Sequence, residues 1–294
     1  MLRVVRVLAP NPGIYTLEGT NTWIVGAEPS IVIDPGPEIG SHLDEVASAA
    51  GRVAAVLVTH DHEDHAPGAP AFAALVSAPL YAFRLAGAEH LRDGQRFVGG
   101  DGLEVVAEYT PGHSSDHVAF FVPLERALFT GDAVVGRGTS FIDPPDGDLA
   151  HYLRSLGRMQ ELHPRTIYPG HGPVVFDAAA KLSEYIGHRE DRERQVLELL
   201  SEGKRTIADI VATIYADYPP EVHVLAGRSV LAHLLKLEHE GRAERKGKGD
   251  DAIWSASEPR VCARCGRPVK GRARLCGPCS LAVLQDTADS GQGA

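Results

Sequence analysis

The sequence predicts an α/β (α+β) body with two small units appended towards its C-terminal end. Three observations carry that assignment. Val53-Ala54-Ala55-Val56-Leu57-Val58 reads as a buried strand and breaks directly into Thr59-His60-Asp61-His62-Glu63-Asp64-His65. A helix, helix, hairpin order then runs between Thr206 and Trp254. All four cysteines stand beyond it, at Cys262, Cys265, Cys276 and Cys279.

The pattern of a strand followed by a tight turn recurs three times along the body. Glu104-Val105-Val106-Ala107 leads into Thr110-Pro111-Gly112-His113-Ser114-Ser115-Asp116-His117. Ala127-Leu128-Phe129 leads into Thr130-Gly131-Asp132, and Thr166-Ile167-Tyr168 into Pro169-Gly170-His171-Gly172. Glycine lets the backbone turn sharply, so a side chain at the end of a strand reaches over the sheet rim. Four strand ends carrying His or Asp at one rim predict a shared metal cage. Neutral imidazole and carboxylate at this density suit a pair of divalent ions. A solvated, His-rich loop is the alternative for the first segment taken alone; the later three segments weigh against it.

The body is expected to close after Pro173-Val174-Val175, giving a first domain over 1–177. Ala178 to Ser201 reads as helix, with Leu182, Tyr185, Ile186, Val196, Leu197, Leu199 and Leu200 as its apolar positions. The run from His188 to Arg194 mixes both charge signs and predicts a solvated helix face; the alternative is that Arg189 or Arg192 reaches towards substrate. Thr206 caps a helix holding Ile207, Ile210, Val211 and Ile214, and Pro219-Pro220 breaks the chain. Ser229 is expected to open a second helix with Val230, Leu231, Leu234, Leu235 and Leu237 inward, stopped by Gly241. Arg242 to Trp254 reads as a hairpin with a glycine-rich tip, which completes a unit over 178–257. Its second helix should offer His233, Lys236, Glu238, His239 and Glu240 outward, which is not a phosphate-reading face. His223, His233 and His239 lack metal spacing and are expected at the surface or the core edge.

Together these motifs resemble those of metallo-β-lactamase-fold hydrolases: T-H-x-H-x-D-H, P-G-H-[ST]-x-x-H, T-G-D and a final G-H, all between Thr59 and Gly172. Gly19-Thr20-Asn21-Thr22 and Ile33-Asp34-Pro35-Gly36 fit that family's opening hairpin. The resemblance implies an αββα sandwich, two sheets face to face with helices outside and two metals at one rim. It also implies that His60, His62 and His113 hold one zinc, that Asp64, His65 and His171 hold a second, and that Asp132 bridges them. A water between two such ions loses its proton near neutral pH and becomes the nucleophile. Asp64 would orient that water, and His117 would either meet substrate or fix its loop. Asp34 is expected to orient a ligand rather than to be one.

Departures within the family narrow the choice. The cysteine ligand usual in zinc β-lactamases is absent near Asp132, and His62 stands where flavodiiron proteins carry Glu. The long insertion of tRNA 3′-processing enzymes and the extra domain of larger nucleases are also absent. The helix–helix–hairpin unit resembles the winged helix of the endoribonuclease-type, lactamase-beta-like branch, as does Gly138-Thr139-Ser140-Phe141-Ile142 with Pro145-Asp146-Gly147-Asp148-Leu149. That branch implies endoribonuclease action on single-stranded RNA. The alternative is hydrolysis of a small acyl thioester, as in glyoxalase-II-like relatives and those that release polyketides. A zinc-bearing adaptor is the remote third.

The cysteine spacing, C-x2-C then C-x2-C, predicts one structural Zn2+ held by Cys262, Cys265, Cys276 and Cys279 in a ribbon over 258–282, followed by a disordered tail over 283–294. Charge divides in the same place. Residues 1–240 hold 19 Lys/Arg against 33 Asp/Glu, whereas residues 241–282 hold 10 against 4. The acidic body is not expected to attract polyanions, so single-stranded RNA would be met through the basic tail. No apolar run approaches the roughly 18 residues of a membrane helix. Pro10 and Pro12 cut the first apolar segment short, so a cytoplasmic location without a signal peptide or membrane partner is expected.

Overall fold

The structure, a computed structural model, describes residues 2–249 and 251–257. The chain divides into two compact units, Met1–Arg189 and Glu190–Ala294. The four cysteines and the basic ribbon of the sequence analysis lie outside the described residues.

The first unit is built on two sheets. β1 (Val4–Leu8), β2 (Asn21–Val25), β3 (Ser30–Ile33), β4 (Val53–Leu57), β5 (Leu80–Ala82) and β6 (Glu89–His90) form one sheet in that order. Pairing is antiparallel from β1 to β3 and parallel from β3 to β6. The second sheet takes the order β11 (Thr166–Pro169), β10 (Ala127–Gly131), β9 (Val118–Val122), β8 (Glu104–Tyr109), β7 (Arg96–Val98). Only β10 and β11 pair in parallel there.

Period-two alternation explains why the strands are apolar throughout. Trp23, Val25, Ile31, Ile33, Ala55 and Leu57 face Val105, Ala107, Val118, Phe120 and Phe129 in one inter-sheet core. The intervening residues Ile24, Val32 and Val56 pack on the opposite face against Leu43 and Val46 of α1 (Gly40–Ala50) and Phe72 of α2 (Ala69–Val76). α3 (Leu149–Glu161) belongs to the second sheet: Arg158 donates to Glu108 of β8, and Ser155 donates to the Pro111 carbonyl just beyond it. The αββα order follows, and it sets β4, β8, β10 and β11 ending beside one another.

α4 (Ala178–Glu202) begins in the first unit and ends in the second. The second unit continues with α5 (Ile207–Ile214), α6 (Pro220–His239) and the antiparallel hairpin β12 (Ala243–Lys246) and β13 (Ile253–Ala256). Thr206 caps α5 in a full capping box with Asp209. Trp254 anchors the unit's own core among Val196, Ile210, Val230, Leu234 and Leu237.

Three expectations are corrected in this region. The second helix starts at Pro220 rather than Ser229. Proline is tolerated in a helix's first turn, where its missing N–H had no intrahelical acceptor, so Pro219-Pro220 opens the helix instead of interrupting it. His233 is buried, not outward, because Ala232, His233 and Leu234 are consecutive buried positions of a helix covered on more than one side. The run from His188 to Arg194 is not uniformly solvated: Arg189 is 4% exposed, and Arg192 stacks 4.4 Å over the Tyr215 ring. No helix among the described residues is long and apolar enough to cross a membrane.

Candidate metal centre

The seven residues expected as metal ligands come together at the strand ends. His60 Nε2 lies 2.9 Å from His62 Nδ1, which lies 3.2 Å from His113 Nε2. His65 Nε2 and His171 Nε2 are 3.2 Å apart, and Asp64 Oδ2 is 3.3 Å from the first and 3.0 Å from the second. Asp132 stands between the clusters. Its Oδ1 is 3.3 Å from His65 and 3.2 Å from His171, while its Oδ2 is 3.8 Å from His113.

Local backbone makes this convergence possible. Gly131 has φ +46°, and a Cβ there would meet Thr59 Oγ1 at 2.6 Å and His117 Nε2 at 2.9 Å. Gly170 passes so close to the cage that a Cβ would lie 2.7 Å from Asp132 Oδ1 and from His65 Cε1. Neither position has room for a side chain.

Four of the five cage histidines, His60, His65, His113 and His171, have the second nitrogen held by a partner that determines which nitrogen faces inward. His113 Nδ1 donates to the Phe141 carbonyl at 2.8 Å and His171 Nδ1 to the Gly19 carbonyl at 3.2 Å, since carbonyls only accept. His65 Nδ1 donates to Asp34 Oδ2 at 2.8 Å. Thr59 Oγ1 gives its single proton to the same Asp34 oxygen at 2.8 Å, so the 2.9 Å contact to His60 Nδ1 makes His60 the donor. All four Nε2 atoms are left as lone-pair donors aimed at one another.

Electrostatics divides the cage. Burial and repulsion from His65 and His113 push His60 well below its ordinary pKa. Burial also opposes charge on His65, but Asp64, Asp132 and Asp34 outweigh it and raise its pKa well above the ordinary value. His171 follows the same balance, with Asp132 and Asp64 overcoming burial to raise it to about 9. Asp132, despite its burial, is held well below the carboxylate range by His171 and His65.

The donor set fits divalent metal. Imidazole nitrogens 2.9–3.2 Å apart come within a few tenths of an ångström of the roughly 3.3 Å ligand-to-ligand edge of a tetrahedral site with bonds of about 2.0–2.1 Å. Asp132 Oδ1 is buried without a hydrogen-bond partner, an acceptor that a divalent cation would satisfy.

Comparison with known proteins agrees with this geometry. Residues 15–171 match the profile of the Metallo-beta-lactamase superfamily. The chain belongs to the metallo-β-lactamase superfamily. Residues 206–254 match the Beta-lactamase associated winged helix domain. A Beta-lactamase-like protein 2 homolog from Caenorhabditis elegans is 35% identical, covering 82% of this chain and 86% of that one. An Atrochrysone carboxyl ACP thioesterase from Aspergillus chevalieri is 35% identical over 86% of each. Among solved structures, a beta-lactamase domain protein from Burkholderia ambifaria shares the fold with a TM-score of 0.73 at 20% identity, covering 87% of this chain and 91% of that one.

As a metal-dependent hydrolase of this superfamily, the protein uses its expected site residues in distinct places. Asp64 is one-quarter exposed and accepts a 3.2 Å hydrogen bond from Thr20 Oγ1, so it is both a cage member and accessible from solvent. Asp34 accepts from His65 Nδ1 and Thr59 Oγ1 and stands outside the cage itself. His117 is wholly buried, its Nδ1 3.0 Å from Thr110 Oγ1 and its ring 5.1 Å from that of His60. It therefore packs beside the cage and does not open to solvent. Sequence reading missed Thr59 as the relay to His60, and Asn21, whose amide donates to the Pro169 and Gly172 carbonyls flanking His171. The carbonyls of Gly19 and Phe141 carry no sequence signal, because any residue supplies one.

Proposed function

We propose that this metallo-β-lactamase-fold protein is a thioesterase that hydrolyses an acyl thioester using two zinc ions. The observation that carries the reading is an apolar lip tied directly to the cage. Ile14 is 73% exposed and Tyr15 57% exposed, and the Tyr15 ring lies 5.9 Å from that of Phe141. The same Phe141 supplies the carbonyl that orients His113, and the loop bearing Ile14 and Tyr15 runs on to Gly19 and Thr20, which contact His171 and Asp64.

The lip is built, not frayed. Thr16 Oγ1 donates to the Asn11 carbonyl at 2.6 Å, Asn11 and Thr20 exchange two hydrogen bonds of 2.9 Å, and Gly13 N donates to the Leu17 carbonyl. An ordered loop presenting two large apolar side chains beside polar chemistry suits an acyl or aromatic body better than a polyanion. The acidic excess of residues 1–240 supports the same choice. So does near-full-length similarity to the fungal thioesterase.

In this reading His60, His62 and His113 would hold one zinc, and Asp64, His65 and His171 the other, with Asp132 available to both. When bound, such ions would supply a water acidified towards neutrality and a polarised thioester carbonyl. Asp64, steadied by Thr20, orients the attacking water, while Tyr15 and Phe141 hold the acyl body and shield it from solvent.

Zinc-loaded full chain, assayed in parallel against an acyl-thioester panel and labelled single-stranded RNA, tests the proposal. Thioester turnover that Asp132→Ala abolishes is the expected result. RNA cleavage that the same substitution abolishes, with thioesters untouched, replaces the reading with a nuclease engaging RNA through the basic tail.

A further inference from the structure

The segment from Asp132 to Asp148 has no regular secondary structure, yet it carries the bridging carboxylate and the carbonyl that orients His113. Its inward carbonyls need donors, and side chains of α3 and α4 supply them. Tyr152 donates to the Ala133 carbonyl at 2.6 Å. The Tyr185 hydroxyl accepts from Val135 N at 3.0 Å and faces the Gly138 carbonyl at 3.0 Å. Arg189 completes the set by donating to the Ser140 carbonyl, with its guanidinium 5.6 Å over the Tyr152 ring.

Arg189 stands out because its chemistry is poorly matched to its burial. Among the described residues no carboxylate pairs with it, and its Nε is buried without a hydrogen-bond partner. A packing role alone would be met better by Met or Leu, which carry no desolvation penalty. What the guanidinium does is fix the Ser140–Phe141 peptide. Ser140 Oγ lies 3.2 Å from His113 Nδ1, and Phe141 O takes the proton of that same nitrogen.

We propose that Arg189 is a positioning residue for the metal site of His60, His62 and His113. By holding the Ser140 carbonyl from the helix side, it aims the Phe141 carbonyl at His113 Nδ1 and keeps the His113 Nε2 lone pair turned into the cage, where it would meet a metal. The inference rests on the metal-cage assignment and not on the thioester reading, so it holds whichever substrate is turned over.

The test is a zinc titration of the full chain against a competing chelator, read at the two cage steps and apart from the ion expected on the four cysteines, with His113→Ala marking the step that belongs to this site. Arg189→Met keeps the apolar stem and removes the donors. It should weaken that step ten- to a hundredfold, the range for lost ligand orientation, and leave the other step unchanged. Arg189→Lys retains one donor without the flat stacking surface, so its affinity should fall between wild type and Arg189→Met. Tyr185→Phe serves as a control, because it loosens the same segment without touching Ser140 or Phe141. It should lower the melting temperature and leave both steps intact. Arg189→Met with wild-type affinity at both steps overturns the proposal. If Arg189→Met does not fold, wild-type affinity at both steps in Arg189→Lys overturns it equally, and selective weakening of the marked step supports it.

Discussion

Replacing Asp34 by Asn should weaken metal binding at both sites while leaving the fold intact. Asp34 is buried and accepts three hydrogen bonds: Thr59 N at 2.7 Å on Oδ1, and Thr59 Oγ1 and His65 Nδ1, each at 2.8 Å, on Oδ2. Its φ of +51° is one that Asn tolerates as well as Asp, so the backbone should not resist the change. An amide, however, has one acceptor end. With its NH2 in the Oδ2 position, it meets the His65 Nδ1–H as donor against donor, and His65 must move its proton to Nε2, the nitrogen the metal needs. Thr59 Oγ1 would then turn its hydrogen towards His60, with the same consequence in the other cluster. With the amide reversed, the NH2 faces the Thr59 N–H and one buried donor goes unsatisfied. Metal binding must select the second arrangement, at a cost of about 1–3 kcal/mol. That corresponds to roughly ten- to a hundredfold in affinity. Chelator-competition titration of wild type and Asp34→Asn, with circular dichroism to verify folding, measures it. A folded variant that binds both metals as tightly as wild type would refute the reasoning that Asp34 sets the tautomers of His60 and His65.

Three further outcomes are expected. Asp132→Ala and His171→Ala should abolish hydrolysis yet melt as folded proteins, since both residues sit in glycine-flanked turns outside the apolar core; near-normal activity with full metal occupancy in either contradicts the ligand assignment. Elemental analysis should find close to three zinc-class ions in the intact chain and two in a chain ending at Ser257, with one in the shorter chain under saturating zinc counting against the two-metal cage. Arg158 donates to Asp93 at 2.7 Å and also to Glu108; burial works against Asp93's charge, but the Arg158 hydrogen bond and the Tyr109 amide lower its pKa. The folded value lies below the unfolded one, so this contribution is complete above about pH 4 and is lost as pH falls through the depressed value. Urea denaturation should show Arg158→Met about 1 kcal/mol less stable at pH 7, a figure kept small by Asp93's exposure, with the difference shrinking in acid.

Several features of α4 to α6 show how far one-dimensional pattern reaches. Thr206 with Asp209 three residues on is a local capping signal, and it folds as one. The hairpin from Ala243 to Ala256 has its glycine-rich tip where the sequence has it. Arg189 is different. Ala178, Leu182, Tyr185, Arg189, Val196 and Leu200 are all buried at helical spacing, so the position was marked by the stripe it continues. Its charge suggested solvent instead, and the carbonyl of Ser140 that gives the charge a use is 49 residues away in sequence.

The sequence by itself marked the four strands that end at the cage, the turns that follow them and the seven candidate metal ligands. Those depend on residue type and short-range spacing: glycine where the backbone must turn, imidazole and carboxylate where the turn projects. Tertiary structure alone decided which nitrogen of His60, His65, His113 and His171 faces the cage. That choice rests on the partners of Asp34, on Thr59 passing its proton to Asp34, and on the carbonyls of Gly19 and Phe141. It decided as well that His117 and His233 are buried and that Pro220 begins a helix. A hydrogen bond to a backbone carbonyl leaves no trace in residue identity, because every residue has that group. Only the packed chain fixes which carbonyl lies within hydrogen-bond reach of which imidazole.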